Sequence, residues 1–391
     1  MSPLAVVCLL TFLHYVGAQM RGPVLPLYAA AHGATPTGVG IIVAAHMIVA
    51  ALGSIPLGRA SDVWGRRRLL LAGMGLSAVT SLLLPLTEAT IPLALVYGAA
   101  GLGVAAFTPS ALSMVGDAAA SGGAGRAFAW YTIAHYGAIG FGSFLGGVVA
   151  EAWAFRAAFV VGAGVIVATL VLGLALIEPS GARPTPVADR ATFADVRRNL
   201  VVWAGWIVSA CGLVTQAVVY TFFPLLADRR GLGPGAIGFV FLVLGVANTA
   251  ARIPAGWLVD RTKHPSLYAI AGVVVASMAT ALLPHVEREA AVLALVAIFG
   301  AVSGIAGVAI GVALTHATVP AVRGLVMGGY SMSLYLGLAL GSVALGPVIG
   351  RHGYATGFRV AAVTGAVGAL VAAVLWMQSH RRLRRSRRET P

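Results

Sequence analysis

Apolar runs of about twenty residues recur along the chain, divided by short turns that hold most of its charge. They fall at about 4–28, 38–58, 69–87, 91–114, 126–150, 156–177, 200–225, 236–258, 266–284, 290–314, 324–349 and 356–378. A helix rises 1.5 Å per residue, so a run of this length crosses a hydrocarbon layer of roughly 30 Å. The pattern predicts an all-α membrane protein with twelve transmembrane helices.

The polar punctuation repeats. At an offset of 198 residues, Pro26 faces Pro224, Pro36 faces Pro234, Pro56 faces Pro254 and Asp62 faces Asp260. At an offset of 199, Tyr131 faces Tyr330, Tyr136 faces Tyr335 and Ser143 faces Ser342. The offset spans six predicted helices, an even number, so both copies run the same way through the membrane. That predicts two six-helix bundles related as a parallel repeat. The N-terminal bundle covers 1–178 and the C-terminal bundle 200–378. A polar, proline-bearing cytoplasmic linker at 179–199 joins them, and a basic cytoplasmic tail follows at 379–391.

Composition agrees with the pattern. The 391 residues are 59% hydrophobic and only 10% charged, with a mean hydropathy of +0.91. Soluble domains carry about a quarter charged residues. The net charge of +14 raises the possibility of nucleic acid, but the arginines sit in short loops and in the tail. If the loop with Arg66 is cytoplasmic, eighteen of the 26 basic residues fall inside and seven outside. This positive-inside bias predicts a multi-pass protein of the cell membrane with both termini cytoplasmic and no nucleic-acid partner. The stretch AVVCLLTFLHYVGA ends like a signal-peptide cleavage site but has no basic leader, so it is expected to stay as the first helix. Cys8 and Cys211 lie inside spans, with no metal spacing or disulfide pattern. Nucleotide loops and nucleophile motifs are missing too, so neither an enzyme nor a cofactor or metal is expected. The expected unit is a monomer in the lipid bilayer.

Between the second and third predicted helices stands Gly58-Arg-Ala-Ser-Asp62-Val-Trp-Gly65-Arg66-Arg67. Topology alone accounts for arginines but needs no aspartate. The second copy keeps Gly256, Asp260, Arg261 and Lys263 without the later glycine. Glycines allow tight turns, and Asp62 can pair with an arginine or with a helix N-terminus. The pattern resembles the loop signature of the major facilitator superfamily, and the resemblance covers the whole chain. Val63 stands where that family usually has a basic residue, and Ala60 where it has leucine. The resemblance implies that Asp62 braces the two halves on the cytoplasmic side, against the start of the eleventh helix near Arg323 and Gly324, when the protein faces outward.

Polar residues at mid-membrane depth are functional suspects. The first helix carries Thr11, His14 and Arg21 at spacings of three and seven, all on one face, and the second carries His46. The fifth carries Tyr131 and His135, the seventh Ser209, Gln216 and Tyr220, the eighth Asn248, and the eleventh Tyr330 and Tyr335. The resemblance implies that these six helices line a central cavity for a small-molecule substrate. The opening PVLPLYAAAHGATPTGVG is most similar to the drug–proton antiporter branch. In LVYGAAGLGVAAF, however, Tyr97 takes the place of that branch's arginine, and Ser143 replaces its helix-5 proline.

The expected function is alternating-access efflux of a drug or metabolite, coupled to protons. No predicted span has a carboxylate near its midplane, so a histidine is the natural proton carrier. Arg21, lacking a carboxylate partner in the spans, is the candidate counter-charge for an acidic group on the substrate. Two alternatives stand beside efflux: an uptake carrier or facilitator for a small organic anion, and a non-transporting sensor or assembly protein on the same fold.

Overall fold

Twelve helices long and apolar enough to cross a membrane make up the structure, a computed structural model that describes residues 1–118, 124–177, 196–197, 199–262 and 264–389. They are α1 Pro3–Ala31, α2 Pro36–Ser61, α3 Arg66–Leu86, α4 Thr90–Ala118, α5 Arg126–Ala152 and α6 Phe155–Leu176 in the first half. The second half has α7 Leu200–Arg229, α8 Pro234–Val259, α9 Pro265–His285, α10 Glu289–His316, α11 Leu325–His352 and α12 Tyr354–Ser379. All regular structure among the described residues is helical. Most of the linker, residues 179–195, lies outside the described residues. The tail does not end the last helix, which continues to Glu389.

Local chemistry sets several helix starts. Ser2 accepts the Ala5 N–H at 3.3 Å ahead of Pro3, and Thr35 accepts the Gly38 N–H at 3.3 Å ahead of Pro36. The Asn199 carboxamide oxygen accepts from Val201 and Val202. Each cap satisfies N–H groups that a helix start leaves unpaired, and proline at the first position gives up a donor that had no partner. Side chains such as Leu95, Val171 and Leu370 stay exposed on the perimeter. In lipid this costs nothing, because the surroundings are as apolar as the side chain.

The first helix departs from the sequence expectation. It breaks into Pro3–Gln19 and Val24–Ala31, with Arg21 in the break. Pro23 has no N–H to give the Gln19 carbonyl, and the Gly22 N–H takes that oxygen at 2.8 Å in a tighter turn. Arg21 is therefore not carried on a continuous face with Thr11 and His14.

The halves meet along α2 against α11 and α5 against α8. Away from the linker, one apolar core joins them, with Leu25, Ile42, Phe222, Phe241 and Val296 among its members. Toward the linker the cores are separate, one around Leu10, Met74 and Phe107 and the other around Val208, Ile310 and Trp376. On that side α2 leaves Leu52 and Ile55 exposed, and α8 leaves Ile253 and Trp257 exposed. The molecule is thus closed at the face opposite the linker and parted at the linker face.

Backbone contact makes the closure tight. A Cβ on Gly40 would overlap the Ser342 carbonyl, and one on Gly140 would stand 3.0 Å from the Gly245 Cα. Small residues permit this approach. Glu151, at the end of α5, adds a polar tie by accepting the Gly235 N–H at 2.6 Å, at the N-terminus of α8. An anion there completes an unpaired donor and meets the positive end of the helix dipole. Glu151→Ala should therefore favour opening of this face by roughly two- to fivefold. In a background lacking Cys8 and Cys211, a single cysteine at the buried Ser342 should then label faster than with Glu151 intact.

Candidate functional site

The sequence-selected polar residues sort into three groups. The first is enclosed in the N-terminal half. The break in α1 turns Arg21 toward α3, where its guanidinium donates to the Ser81 hydroxyl at 2.7 Å. The same guanidinium lies 5.4 Å from the centre of the Tyr97 ring on α4. His46 from α2 stacks on that ring at 4.3 Å and hydrogen-bonds the Tyr97 carbonyl at 3.0 Å. Arg21 is 3% exposed and His46 6%. Arg21, His46 and Tyr97, spread over three helices, thus form one cluster in which Arg21 and His46 are buried and Tyr97 is half-buried.

The second group is a string of rings. His14 on α1 stacks against Phe107 of α4 at 4.2 Å, and Phe107 meets the Tyr15 edge at 5.7 Å. Tyr15 meets His135 of α5 at 4.2 Å, and Tyr131 lies 6.1 Å from the same imidazole. His135 then adjoins Tyr136 at 4.9 Å. Buried polar atoms without a partner concentrate here: the Thr11 hydroxyl, both His14 nitrogens, the Tyr131 hydroxyl and His135 Nδ1. A buried polar group left unpaired is costly.

The string ends across the interface. Arg252 of α8 places its guanidinium carbon 3.7 Å from the Tyr136 ring centre. Its Nε donates to the Asn248 carboxamide oxygen at 2.9 Å, and Asn248 Nδ2 donates to the Gly300 carbonyl of α10 at 3.0 Å. Asn248 is buried and Arg252 half-buried.

Beside this lies a cavity of about 60 Å³ lined by Ser209, Gln216, Ser303, Gly307 and Tyr330, which brings the polar stripe of α7 to face α10 and α11. Tyr220 packs against Phe241 at 5.4 Å, and Tyr335 is half-buried on α11.

Arg252 and Tyr136 were not singled out from the sequence as site residues. The available signal was a lone cation inside an apolar span, one turn after an asparagine.

Where its side chains are described, the loop motif ties the turn to neighbouring helices. Gly65 has φ +95°, a conformation that favours glycine, and closes the helix that runs from Pro36 to Trp64. Arg66 pairs with Asp117 and donates to the Ser113 carbonyl at 3.2 Å, tying the turn to the end of α4. Arg67 donates to the Leu174 carbonyl of α6 at 2.9 Å. A cation at a helix C-terminus is favoured by the dipole. In the second copy Arg261 lies over Trp257 at 5.1 Å. Gly58 and Gly256 have room around them. The side chains of Asp62, Asp260 and Arg323 lie outside the described residues, as does Lys263.

Among the described residues, no group of three or more metal-ligating side chains comes together. Every carboxylate whose side chain is described is exposed: Glu88, Asp117, Glu151, Asp228, Glu287 and Glu289.

Comparison with known proteins agrees with this architecture. The chain is similar to an uncharacterized MFS-type transporter of Methanocaldococcus jannaschii, 21% identical over 373 residues, covering 94% of this chain and 96% of that one. It is also similar to the uncharacterized MFS-type transporter YwfA of Bacillus subtilis, 26% identical over 355 residues, with 88% and 84% covered.

Among solved structures, a mutant of the nucleoside transporter NupG superposes with a TM-score of 0.81 at 14% identity, covering 95% of this chain and 99% of that one. A bacterial homolog of the human lysosomal transporter Spinster, in an inward-facing and occupied conformation, gives 0.79 at 16% identity, with 97% and 96% covered. At these identities the structural likeness shows the fold alone. A family model described as Major Facilitator Superfamily matches residues 7–342, most of the chain. The chain belongs to the major facilitator superfamily of membrane transporters.

Proposed function

We propose that the chain carries a small organic anion by alternating access, with its linker face in the cytoplasm. One observation carries this reading. The space between the halves contains the guanidinium of Arg252, while every carboxylate with a described side chain is exposed. A cation at that depth without a counter-charge favours an anionic solute. The arginine bias supports the orientation, and the closed opposite face then corresponds to an inward-facing state.

A second reading, proton-coupled efflux, draws on the unpartnered nitrogens of His14 and His135. Imidazole is the side chain whose ordinary pKa suits proton exchange near neutrality. Purified protein in proteoliposomes separates the two readings. An anion facilitator moves labelled organic anions down their gradient without a pH difference. A proton-coupled exporter concentrates its solute only when a pH difference is imposed. Failure to move any organic anion under either condition would reject the first reading.

Topology has its own test. In a background lacking Cys8 and Cys211, Val63→Cys should resist an impermeant thiol reagent in intact cells, and Glu88→Cys should react. Both positions are exposed, at opposite ends of the helices. The reverse pattern overturns the orientation.

A further inference from the structure

We propose that Arg252 is the anchor of the substrate site and that it receives the carboxylate of a small organic monocarboxylate. The proposal rests on the anion reading above and names the residue and the ligand class within it.

The guanidinium is held on one edge only. Nε is tied to Asn248, which is itself fixed to the Gly300 carbonyl. The flat face lies on Tyr136 of the opposite half. Among the described residues, the two terminal nitrogens have no hydrogen-bond or ion-pair partner. A planar fork with one side buttressed and two parallel N–H groups left over matches a carboxylate bidentately. Gly307 lies beside the fork: a Cβ there would stand 3.4 Å from Nη2, an ordinary contact, so only a larger side chain would crowd it. Gly307 also lines the cavity of the C-terminal half, so this glycine separates the fork from that cavity.

Snorkelling does not explain this placement. Arg252 precedes the helix end at Thr262 by ten residues, roughly 15 Å along the axis, and its side chain lies across the interface on Tyr136. Arg21, a second arginine well inside a span, already donates to Ser81 and is enclosed.

The surroundings narrow the ligand. One guanidinium balances a single negative charge, and a doubly charged phosphate would stay half uncompensated. A zwitterionic amino acid would need a carboxylate for its ammonium, and every carboxylate with a described side chain is exposed at a span end. The hydroxyls of Ser209, Ser303 and Tyr330 and the carboxamide of Gln216 suit hydroxyl or carbonyl groups on a compact body.

The test uses full-length purified protein and a panel of small hydroxy-, keto- and aromatic monocarboxylates, each paired with its amide. Affinity is read by calorimetry, with thermal stabilisation as a parallel readout. Wild type should prefer at least one acid over its amide by about tenfold or more. Arg252→Gln should abolish that preference. Arg252→Lys, which keeps the charge and loses the fork, should weaken acid binding by about tenfold. Gly307→Val, which keeps the arginine and fills the space beside Nη2, should weaken it as well.

If wild type shows no acid preference across the panel, the anion reading falls and the anchor with it. If wild type prefers an acid and Arg252→Gln keeps the preference, the anchor is wrong while the anion reading stands. Should Arg252→Gln fail to fold, Arg252→Lys and Gly307→Val decide. Unchanged acid affinity in both overturns the assignment.

Discussion

Gly40→Leu is expected to leave the protein folded but unable to hold the closed face. In the structure α2 and α11 touch through backbone there, and even a single Cβ would overlap the Ser342 carbonyl. A carbonyl inside a helix cannot turn aside without giving up its own hydrogen bond, so the two helices must separate. Overpacking of this kind costs about 1–3 kcal/mol, which moves a two-state equilibrium by roughly five- to 150-fold. The contact lies between the halves, so each bundle keeps its own packing while the state closed opposite the linker loses population. Transport should fall by about tenfold or more, with expression and size-exclusion profile unchanged. Labelling of a single cysteine at Ser342 should rise in parallel. Gly40→Leu protein that transports at the wild-type rate would show that this closed state is not part of the cycle.

Arg21→Ala is expected to act on stability rather than on substrate. The side chain fills the space between the break in α1, Ser81 of α3 and Tyr97 of α4, and it is 3% exposed. Its removal leaves a cavity and strips a cation from the face of Tyr97, a contact worth about 0.5–2 kcal/mol by itself. Large-to-small changes at buried positions cost about 2–5 kcal/mol in all. The melting temperature of the purified protein should fall by several degrees. Protein that survives should keep its preference for acid over amide, because the fork of Arg252 is untouched. Normal stability combined with lost acid binding would move the anchor from Arg252 to Arg21. The two arginines thus make opposite forecasts, one for packing and one for recognition.

Much of the fold is legible in the sequence itself. A bilayer leaves no water for exposed backbone groups, so each crossing must satisfy its N–H and C=O groups internally and take about twenty apolar residues to do so. That constraint writes the number of helices directly into the hydropathy pattern, and the internal repeat adds their shared orientation. The cap at Thr35–Pro36 and the turn at Gly65 are equally local, because their chemistry acts within a few residues.

The site was legible only as an inventory. His14, His46, Tyr97, Tyr131, His135 and Asn248 stood out as polar residues in apolar spans, but their partners did not. In water, the apolar stripe of a helix shows which face turns inward. In lipid both faces are apolar, so the stripe fades and the neighbours are chosen by small-residue contacts instead. Gly40 against Ser342 and Gly140 against Gly245 make those choices here, and they bring Tyr136 of one half under Arg252 of the other. The break at Pro23 is a second decision of the tertiary structure. Proline removes one hydrogen bond wherever it stands, but only the packed position of α3 turns the released Arg21 toward Ser81. Sequence alone therefore determined how many helices cross and which residues are costly within them. Tertiary packing decided which of those costs are met inside the fold and which are left open for a solute.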